Sequence, residues 1–139
     1  MNDLAGKHIV LGLSGGIACY KAAELCRALI KEGATVQVVM TQAAEQFITV
    51  VTMQALSGRP VYGSQWDARE PNNMPHINLS RGADAILVAP CSADFMVKLL
   101  HGGADELLSL THGRQTRPAS RPATSGKTRA CQTACDSYL

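Results

Sequence analysis

The sequence predicts an α/β fold with a parallel β-sheet, on the basis of three observations. Apolar runs of strand length occupy residues 8–13, 35–40 and 85–89. Between the first two runs, apolar residues recur at three- and four-residue steps, which is the spacing of an amphipathic helix. A strand, a helix and a second strand within about 33 residues form a βαβ unit, which implies parallel strands and a right-handed crossover.

The first strand leads into a glycine-rich turn, Ser14-Gly15-Gly16. A helix is predicted to begin at Ile17 and to end at Gly33, with charged residues along the side opposite its apolar residues. Glycines in such a turn let backbone N–H groups approach an anion, and the N-terminus of the helix adds a favourable dipole. The turn lacks the dinucleotide pattern G-x-G-x-x-G, so an anion site and a purely structural turn both remain open.

The second strand, residues 35–40, is rich in β-branched and apolar residues. Thr41 follows it as the candidate cap of a helix through residues 42–47. A further helical stretch is predicted through residues 52–56, ending at Ser57-Gly58.

The segment that follows, residues 59–75, is rich in turn formers and predicts a long loop, a kind of segment that is often functional. After the third strand, Ser92-Ala93-Asp94 offers capping groups for a helix over residues 95–100. A further apolar face begins with Leu107, Leu108 and Leu110.

Charge and composition divide the chain near residue 110. Residues 1–110 carry eight Lys and Arg against ten Asp and Glu, whereas residues 111–139 carry five against one. The body therefore has no basic excess, which argues against nucleic acid as a partner. The tail contains one residue of the set Val, Ile, Leu, Met, Phe and Trp, namely Leu139. The tail therefore cannot bury enough apolar surface to offset the entropy cost of ordering the chain, about 1–2 kcal/mol per residue, so disorder is predicted.

The five cysteines show no paired pattern, which predicts a reduced, cytoplasmic protein. The N-terminal apolar run is too short for a signal sequence or a membrane span, so no association with a membrane is expected. Cys131 and Cys135 are four residues apart without a second pair of ligands, and no metal site is predicted.

Three candidate site positions follow directly on the predicted strands: the turn at residues 14–18, Thr41 and Ser92. Ligands of open α/β sheets bind at the carboxyl ends of the strands, so the three positions together favour a binding site. His76 directly follows residues 59–75 and is placed in a loop ahead of the third strand, where its pattern fits either a structural histidine or a proton-transfer group. Asp94 by itself is read as a helix cap.

Six segments, in collinear order over about residues 4–110, resemble the homo-oligomeric flavin-containing cysteine decarboxylases. They are SGGIACYKAAEL, the pair Met40-Thr41, FITVVTMQALSG, PHINLSRGADAILVAP, PCSAD and GGADELLS. Within this family the resemblance is strongest to the N-terminal part of the bacterial bifunctional phosphopantothenoylcysteine decarboxylase/phosphopantothenate–cysteine ligases of coenzyme A synthesis.

The resemblance implies a three-layer α/β/α, Rossmann-like fold that binds FMN where subunits meet, usually in trimers or assemblies of trimers. The implied activity is that of a carbon–carbon lyase, which converts 4′-phosphopantothenoyl-L-cysteine to 4′-phosphopantetheine. His76 matches the family's catalytic histidine, and Asp94 is implied to lie near the cysteine end of the substrate. The residues implied to bind FMN are Ser14, Gly15, Gly16, Ile17, Ala18, Thr41, Ser92 and Ala93.

The chain departs from the family pattern after residue 110. The family continues with a core strand, a Pro-x-Met-Asn motif and a flap cysteine, whereas residues 111–139 have the composition of a shifted reading frame. We therefore expect a partial flavoprotein domain at residues 1–110, incomplete at its C-terminus, an out-of-frame or disordered tail at 111–139, no ligase half, and impaired activity. The alternatives are a flavin prenyltransferase-like protein, against which the His-Ile-Asn-Leu segment argues, a non-catalytic FMN-binding or regulatory protein, and a gene fragment without function.

Overall fold

The computed structural model describes residues 4–63, 75–103 and 107–109. Its elements in chain order are β1 (His8–Leu13), α1 (Cys19–Lys31), β2 (Thr35–Met40), a 3₁₀ helix (Ala44–Gln46), α2 (Val50–Ser57), α3 (Pro75–Gly82), β3 (Ala85–Val88) and α4 (Ala93–Leu100). The three strands form one parallel sheet in the order β2-β1-β3. The predicted α/β fold with a parallel sheet is therefore confirmed.

The central strand β1 pairs along its full length with β2, from His8 opposite Thr35 to Leu13 opposite Met40. On its other side β1 pairs with β3, from Ile9 opposite Ala85 to Gly12 opposite Val88. Both β1 and β2 have the predicted bounds, and β3 ends one residue earlier than predicted. Within the described ranges, no further strand pairs with the outer edge of β3.

One face of the sheet is covered by α1 and α2. Alternate side chains of β1 and β2 point to this face, because successive residues of a strand project to opposite sides. They form a core cluster with side chains of the two helices and of the segment after α2; its members include Leu11, Leu13, Val36, Val38, Met40, Ala22, Cys26, Met53 and Val61.

The opposite face is covered by α3 and α4. Val10 and Val39 of the sheet pack there with Leu79 of α3 and Phe95 of α4. Leu107 and Leu108 belong to the same cluster and are each 1% exposed, as expected for the predicted apolar face. Helices therefore lie on both sides of the sheet, and the three-layer α/β/α architecture is confirmed.

Helix α1 begins at Cys19, two residues later than predicted, because Ile17 and Ala18 complete the turn. Its buried stripe consists of Cys19, Ala22 and Cys26, which are spaced three and four residues apart. The helix is followed by Gly33 with φ of +89°, a left-handed conformation that favours glycine.

After β2, one helix is shorter than predicted and the next is longer. The helix expected over residues 42–47 is a single 3₁₀ turn, Ala44–Gln46. The next helix extends from Val50 to Ser57 because the side chain of Thr49 accepts a hydrogen bond from the backbone N–H of Thr52 at 3.2 Å and caps it.

The prediction that places His76 in a loop is wrong, because residues 75–82 form helix α3. Pro75 is the first residue of this helix, where its missing N–H removes no intrahelical bond. Leu79 and the following Ala83 are four residues apart and each 7% exposed, so both contribute to the second core cluster. This burial stabilises a helix that is too short to show a clear pattern in the sequence.

The remaining predictions for this region concern parts of the chain outside the described residues. These are most of the long loop, at residues 64–74, together with Leu110 and the tail at 111–139. None of the described helices is both long enough and apolar enough to cross a bilayer.

Candidate functional site

The carboxyl ends of the three parallel strands are tied together by backbone hydrogen bonds. Ser14, which follows β1, donates from its N–H to the carbonyl of Pro90, which follows β3, at 3.2 Å. Thr41, which follows β2, donates from its N–H to the carbonyl of Leu13 at 3.0 Å. The structure therefore brings the three predicted strand-end positions to one edge of the sheet, here called the carboxyl edge.

The hydroxyl of Ser14 makes two more bonds at this edge. Its Oγ donates to the carbonyl of Pro90 at 2.5 Å and accepts from the N–H of Ser92 at 2.7 Å. The Ser14 residue is 1% exposed. Ser14 thus joins the end of β1 to the segment that leads from β3 into α4.

The turn at residues 15–18 lies against the segment that follows Thr41. A Cβ added to Gly15 would lie 2.6 Å from Cβ of Ala43 and 3.3 Å from its backbone carbonyl carbon, so the turn can approach this closely only with glycine there. Gly16 has more room, since an added Cβ would meet nothing nearer than Pro90 at 3.7 Å.

Three backbone donors of this turn are available to a ligand. Among the described residues, none accepts a hydrogen bond from the N–H of Gly15, Ile17 or Ala18, whereas the N–H of Gly16 donates to the sulfur of Cys19. The turn also precedes the 13-residue helix α1, whose N-terminal dipole favours an anion. A phosphate, which offers acceptors and negative charge, fits this set of donors.

Ser92 caps α4 with its hydroxyl oxygen, as predicted. The prediction that Thr41 is a helix cap is wrong, because the 3₁₀ turn after β2 has Ala43 at its N-cap and no side-chain cap bond, but the Thr41 hydroxyl does accept a bond from the first residue of that turn. Oγ1 of Thr41 accepts from the N–H of Ala44, and Oγ of Ser92 accepts from the N–H of Phe95, both at 3.2 Å. A hydroxyl that accepts one bond still has its hydrogen to donate, and no described residue receives it from either side chain. Both hydroxyls are therefore potential donors at the carboxyl edge, although Thr41 is only 3% exposed.

Asp94 lies in the first turn of α4, two residues after the cap, so its interpretation as the cap is wrong and Ser92 has that role. Its side chain is 80% exposed, and its Oδ2 lies 3.4 Å from Nζ of Lys98. Pairs of this kind at a surface contribute little stability, so the carboxylate is available to solvent and to a ligand. The neighbouring Ala93 is also exposed.

The backbone of His76 lies in the first turn of α3. The other end of this helix is held at the amino edge of the sheet, where Asp84 N–H donates to the His8 carbonyl at 2.7 Å and His8 N–H donates to Oδ2 of Asp84 at 2.8 Å. Eight helical residues span about 12 Å and four strand residues about 13 Å. Leu79 of α3 packs with Val10 and Val39 of the sheet, and the position of His76 at the carboxyl edge stays a prediction.

The two buried cysteines near the turn serve the core. Burial raises the pKa of both the Cys19 and the Cys26 thiols, which disfavours the nucleophilic thiolate. Sγ of Cys19 lies 3.4 Å from the Ser14 carbonyl, to which it donates a weak bond. No cluster of three or more His, Cys, Asp and Glu side chains that could hold a metal ion occurs in the part of the chain that the structure describes.

Two features of the site could not be found by reasoning from the sequence. The bonds of Ser14 join residues 76 and 78 positions apart, and no local pattern encodes them. The contact between Gly15 and Ala43 depends on the packing of two turns. The Gly-Gly pair itself was the available signal for a close backbone approach.

Comparison with known proteins gives a consistent result. The flavoprotein family profile matches residues 1–121. The coenzyme A biosynthesis bifunctional protein CoaBC of Vibrio cholerae is 54% identical over 109 residues, which cover 78% of this chain and 27% of that protein. The chain thus spans about a quarter of the length of this curated relative.

Solved structures also match. A PPC decarboxylase mutant complexed with pantothenoylaminoethenethiol has a TM-score of 0.64 and 27% sequence identity, covering 79% of this chain and 61% of that chain. The FMN binding protein AtHal3 has a TM-score of 0.63 and 27% identity, covering 78% of this chain and 59% of that chain.

Proposed function

This chain belongs to the flavoprotein family, and we propose that it binds FMN at the carboxyl edge and decarboxylates 4′-phosphopantothenoyl-L-cysteine to 4′-phosphopantetheine. The observation that carries the proposal is the set of three unpaired N–H groups at Gly15, Ile17 and Ala18, which lie at the same edge as two hydroxyls with hydrogens to donate. The identity to CoaBC and the likeness to PPC decarboxylase support this substrate over that of a prenyltransferase.

The phosphate of FMN would be held by backbone and hydroxyl donors of this chain. We assign this role to the N–H groups of Gly15, Ile17 and Ala18, to the hydroxyls of Thr41 and Ser92, and to the N–H of Ala93. Ala93 opens α4, so its N–H is one of the four at a helix N-terminus that lack an intrahelical partner. Two helix N-termini, those of α1 and α4, therefore direct positive dipole ends at the same anion.

When bound, FMN supplies the two-electron redox chemistry that labilises the substrate's carboxylate. His76 is proposed to transfer the proton at an imidazole nitrogen, since imidazole changes charge near neutral pH. The exposed carboxylate of Asp94 is proposed to orient the cysteine end of the substrate from the first turn of α4.

A homo-oligomer, built on trimers, is proposed to complete the site. The support is a set of exposed apolar side chains on the turn before α1, on α1 and at the start of α2: Ile17 at 81%, Tyr20 at 61% and Val51 at 76% exposure. Exposed apolar side chains on neighbouring elements are typical of an interface. Light scattering of the purified chain measures the assembly, and a monodisperse monomer would contradict it.

We propose the cytoplasm as the compartment, because the described Cys19 and Cys26 are buried free thiols, which suits a reducing environment. We also retain a domain boundary near residue 110 as a proposal, to be examined by limited proteolysis. A protease-resistant fragment that ends well beyond residue 110 would contradict this boundary.

The test of the proposed function has two steps. The first is a visible absorption spectrum of the purified full chain after addition of FMN and removal of free cofactor, in which a retained flavin band is expected. The second compares carbon dioxide release from phosphopantothenoylcysteine by the wild-type chain and by His76→Asn. Retained flavin with turnover lost only in the variant is the expected result.

Other outcomes separate the alternatives. A wild-type chain that retains FMN without turnover would be a non-catalytic flavin-binding protein. A chain that retains no flavin would refute the proposed site. Turnover by His76→Asn at the wild-type rate would exclude His76 as the proton-transfer group.

A further inference from the structure

The hydrogen-bonding capacity of Ser14 is committed to the protein itself. A serine hydroxyl has one hydrogen to donate and two lone pairs to accept with. In Ser14 that hydrogen goes to the carbonyl of Pro90 at 2.5 Å, and one lone pair receives the N–H of Ser92 at 2.7 Å. The same Pro90 carbonyl also accepts from the backbone N–H of Ser14 at 3.2 Å.

This arrangement leaves no hydrogen for a phosphate. A phosphate dianion offers acceptors only, so Ser14 could bind it only by giving up the bond to Pro90. With 1% exposure, Ser14 also presents almost no surface to a ligand. Ser92 differs, because its oxygen accepts from Phe95 and its hydrogen has no acceptor among the described residues.

We propose that Ser14 is a positioning residue, which fixes the segment of residues 90–92 against the phosphate-binding turn so that Ser92 and the N-terminus of α4 face the cofactor. The inference rests on the proposed FMN site and changes the part that Ser14 plays in it. Ser14 holds the segment at two points, the carbonyl of Pro90 and the N–H of Ser92. Ser92 then caps α4 through Phe95, so the register of the helix depends on the same contacts.

A double-mutant cycle on FMN affinity tests this role. Ser14→Ala, Ser92→Ala and the double variant are titrated with FMN by flavin fluorescence, using the full chain. Ser14→Ala is expected to weaken FMN binding about tenfold, because Ser92 would be displaced and would lose its charge-assisted hydrogen bond to the phosphate. If Ser14 acts through Ser92, the double variant loses less affinity than the product of the two single losses.

A second measurement needs no cofactor. Amide hydrogen exchange at Ser92 in the flavin-free chain is expected to be faster in Ser14→Ala than in the wild type, because its acceptor is gone. The matched control is Ser57→Ala, which also removes a hydroxyl with two hydrogen bonds. The Ser57 hydroxyl donates to the carbonyl of Arg59 at 3.2 Å and accepts from the N–H of Arg59 at 3.3 Å. Ser57 ends α2, and Pro60 three residues later bonds to Gln37 in the middle of β2 and not at the carboxyl edge, so this variant should keep FMN affinity and Ser92 exchange unchanged.

The outcomes separate the inference from the function on which it rests. A wild-type chain that fails to bind FMN refutes the proposed function, and the positioning role falls with it. Normal FMN binding by Ser14→Ala, multiplicative losses in the cycle, or unchanged Ser92 exchange each refute the positioning role alone. If circular dichroism shows Ser14→Ala to be unfolded, Ser14→Cys replaces it, because a thiol of similar size keeps the packing and forms only weak hydrogen bonds.

Discussion

Gly12 of the central strand allows the close approach of Leu108, and its replacement by alanine should destabilise the fold. A Cβ at residue 12 would lie 2.3 Å from Cδ1 and 2.7 Å from Cδ2 of Leu108, with Cγ at 3.1 Å. The whole end of the leucine side chain therefore has to move. Leu108 is 1% exposed and packs among Val10, Phe95 and Leu107, so little free space is available for another rotamer.

The expected loss follows from two opposing effects. Overpacking of a well-filled core lowers stability by about 1–3 kcal/mol. Replacing glycine by alanine within a strand recovers about 0.5–1 kcal/mol, because the unfolded chain loses conformational freedom. The net effect for Gly12→Ala is a loss of about 0–2.5 kcal/mol with a central value of roughly 1 kcal/mol, to be compared with a typical net stability of about 5–15 kcal/mol.

Urea unfolding followed by far-ultraviolet circular dichroism measures this loss. The control is Gly82→Ala, whose added Cβ would meet nothing nearer than Cδ2 of His8 at 3.9 Å, so that stability should stay the same or rise slightly. Gly12→Ala should be nearly neutral in a Leu108→Ala background, since the clashing atoms are removed. An equal effect of Gly12→Ala in both backgrounds would refute the packing argument.

Three further outcomes are expected. Thr49→Ala removes the cap of α2 and should lower the unfolding free energy by about 1 kcal/mol in the same urea assay, and an unchanged midpoint would contradict the capping role. Gly15→Ala places a Cβ 2.6 Å from that of Ala43 and should weaken FMN binding by about tenfold or more in a fluorescence titration; wild-type affinity would separate this turn from the cofactor. Burial, with the nearby Arg59, lowers the pKa of His8 below its ordinary value of 6.5, so the unfolded chain binds the proton more readily and stability falls as the pH drops below about 6.5. His8→Gln should reduce the dependence of the unfolding free energy on pH between about pH 7 and pH 5. A variant with the same pH dependence as the wild type would rule out His8 as its cause.

The sheet could be predicted from the sequence because its strands are dense apolar runs between clear boundaries. β1 is followed by the Ser14-Gly15-Gly16 turn and β2 is preceded by Gly33, so both strands have the predicted limits. The helix at His76 was missed for the opposite reason. The buried residues of this region are little more than Leu79 and Ala83, and they stabilise the helix only when they pack against the sheet.

The candidate site was predictable in its position and not in its bonding. Parallel strands place Ser14, Thr41 and Ser92 at one edge, and this follows from the chain order of strands and helices. Which hydroxyl keeps a hydrogen for a ligand depends on partners from distant segments. Ser14 and Ser92 look equivalent in the sequence, yet only Ser14 has its hydrogen accepted within the described chain.

The strand order β2-β1-β3 also has a consequence for synthesis on the ribosome. The strand at the centre of the sheet is made first, and its partner on one side is made late: His8 and Asp84, which meet at the amino edge, are 76 residues apart. At about 5–20 residues per second, β1 waits roughly 4–15 s after its own synthesis before β3 exists. Throughout that interval one hydrogen-bonding edge of an apolar strand is open to other chains. Of the three described strands, β1 therefore has an unpaired edge for the longest time during synthesis, and slower translation would lengthen that time.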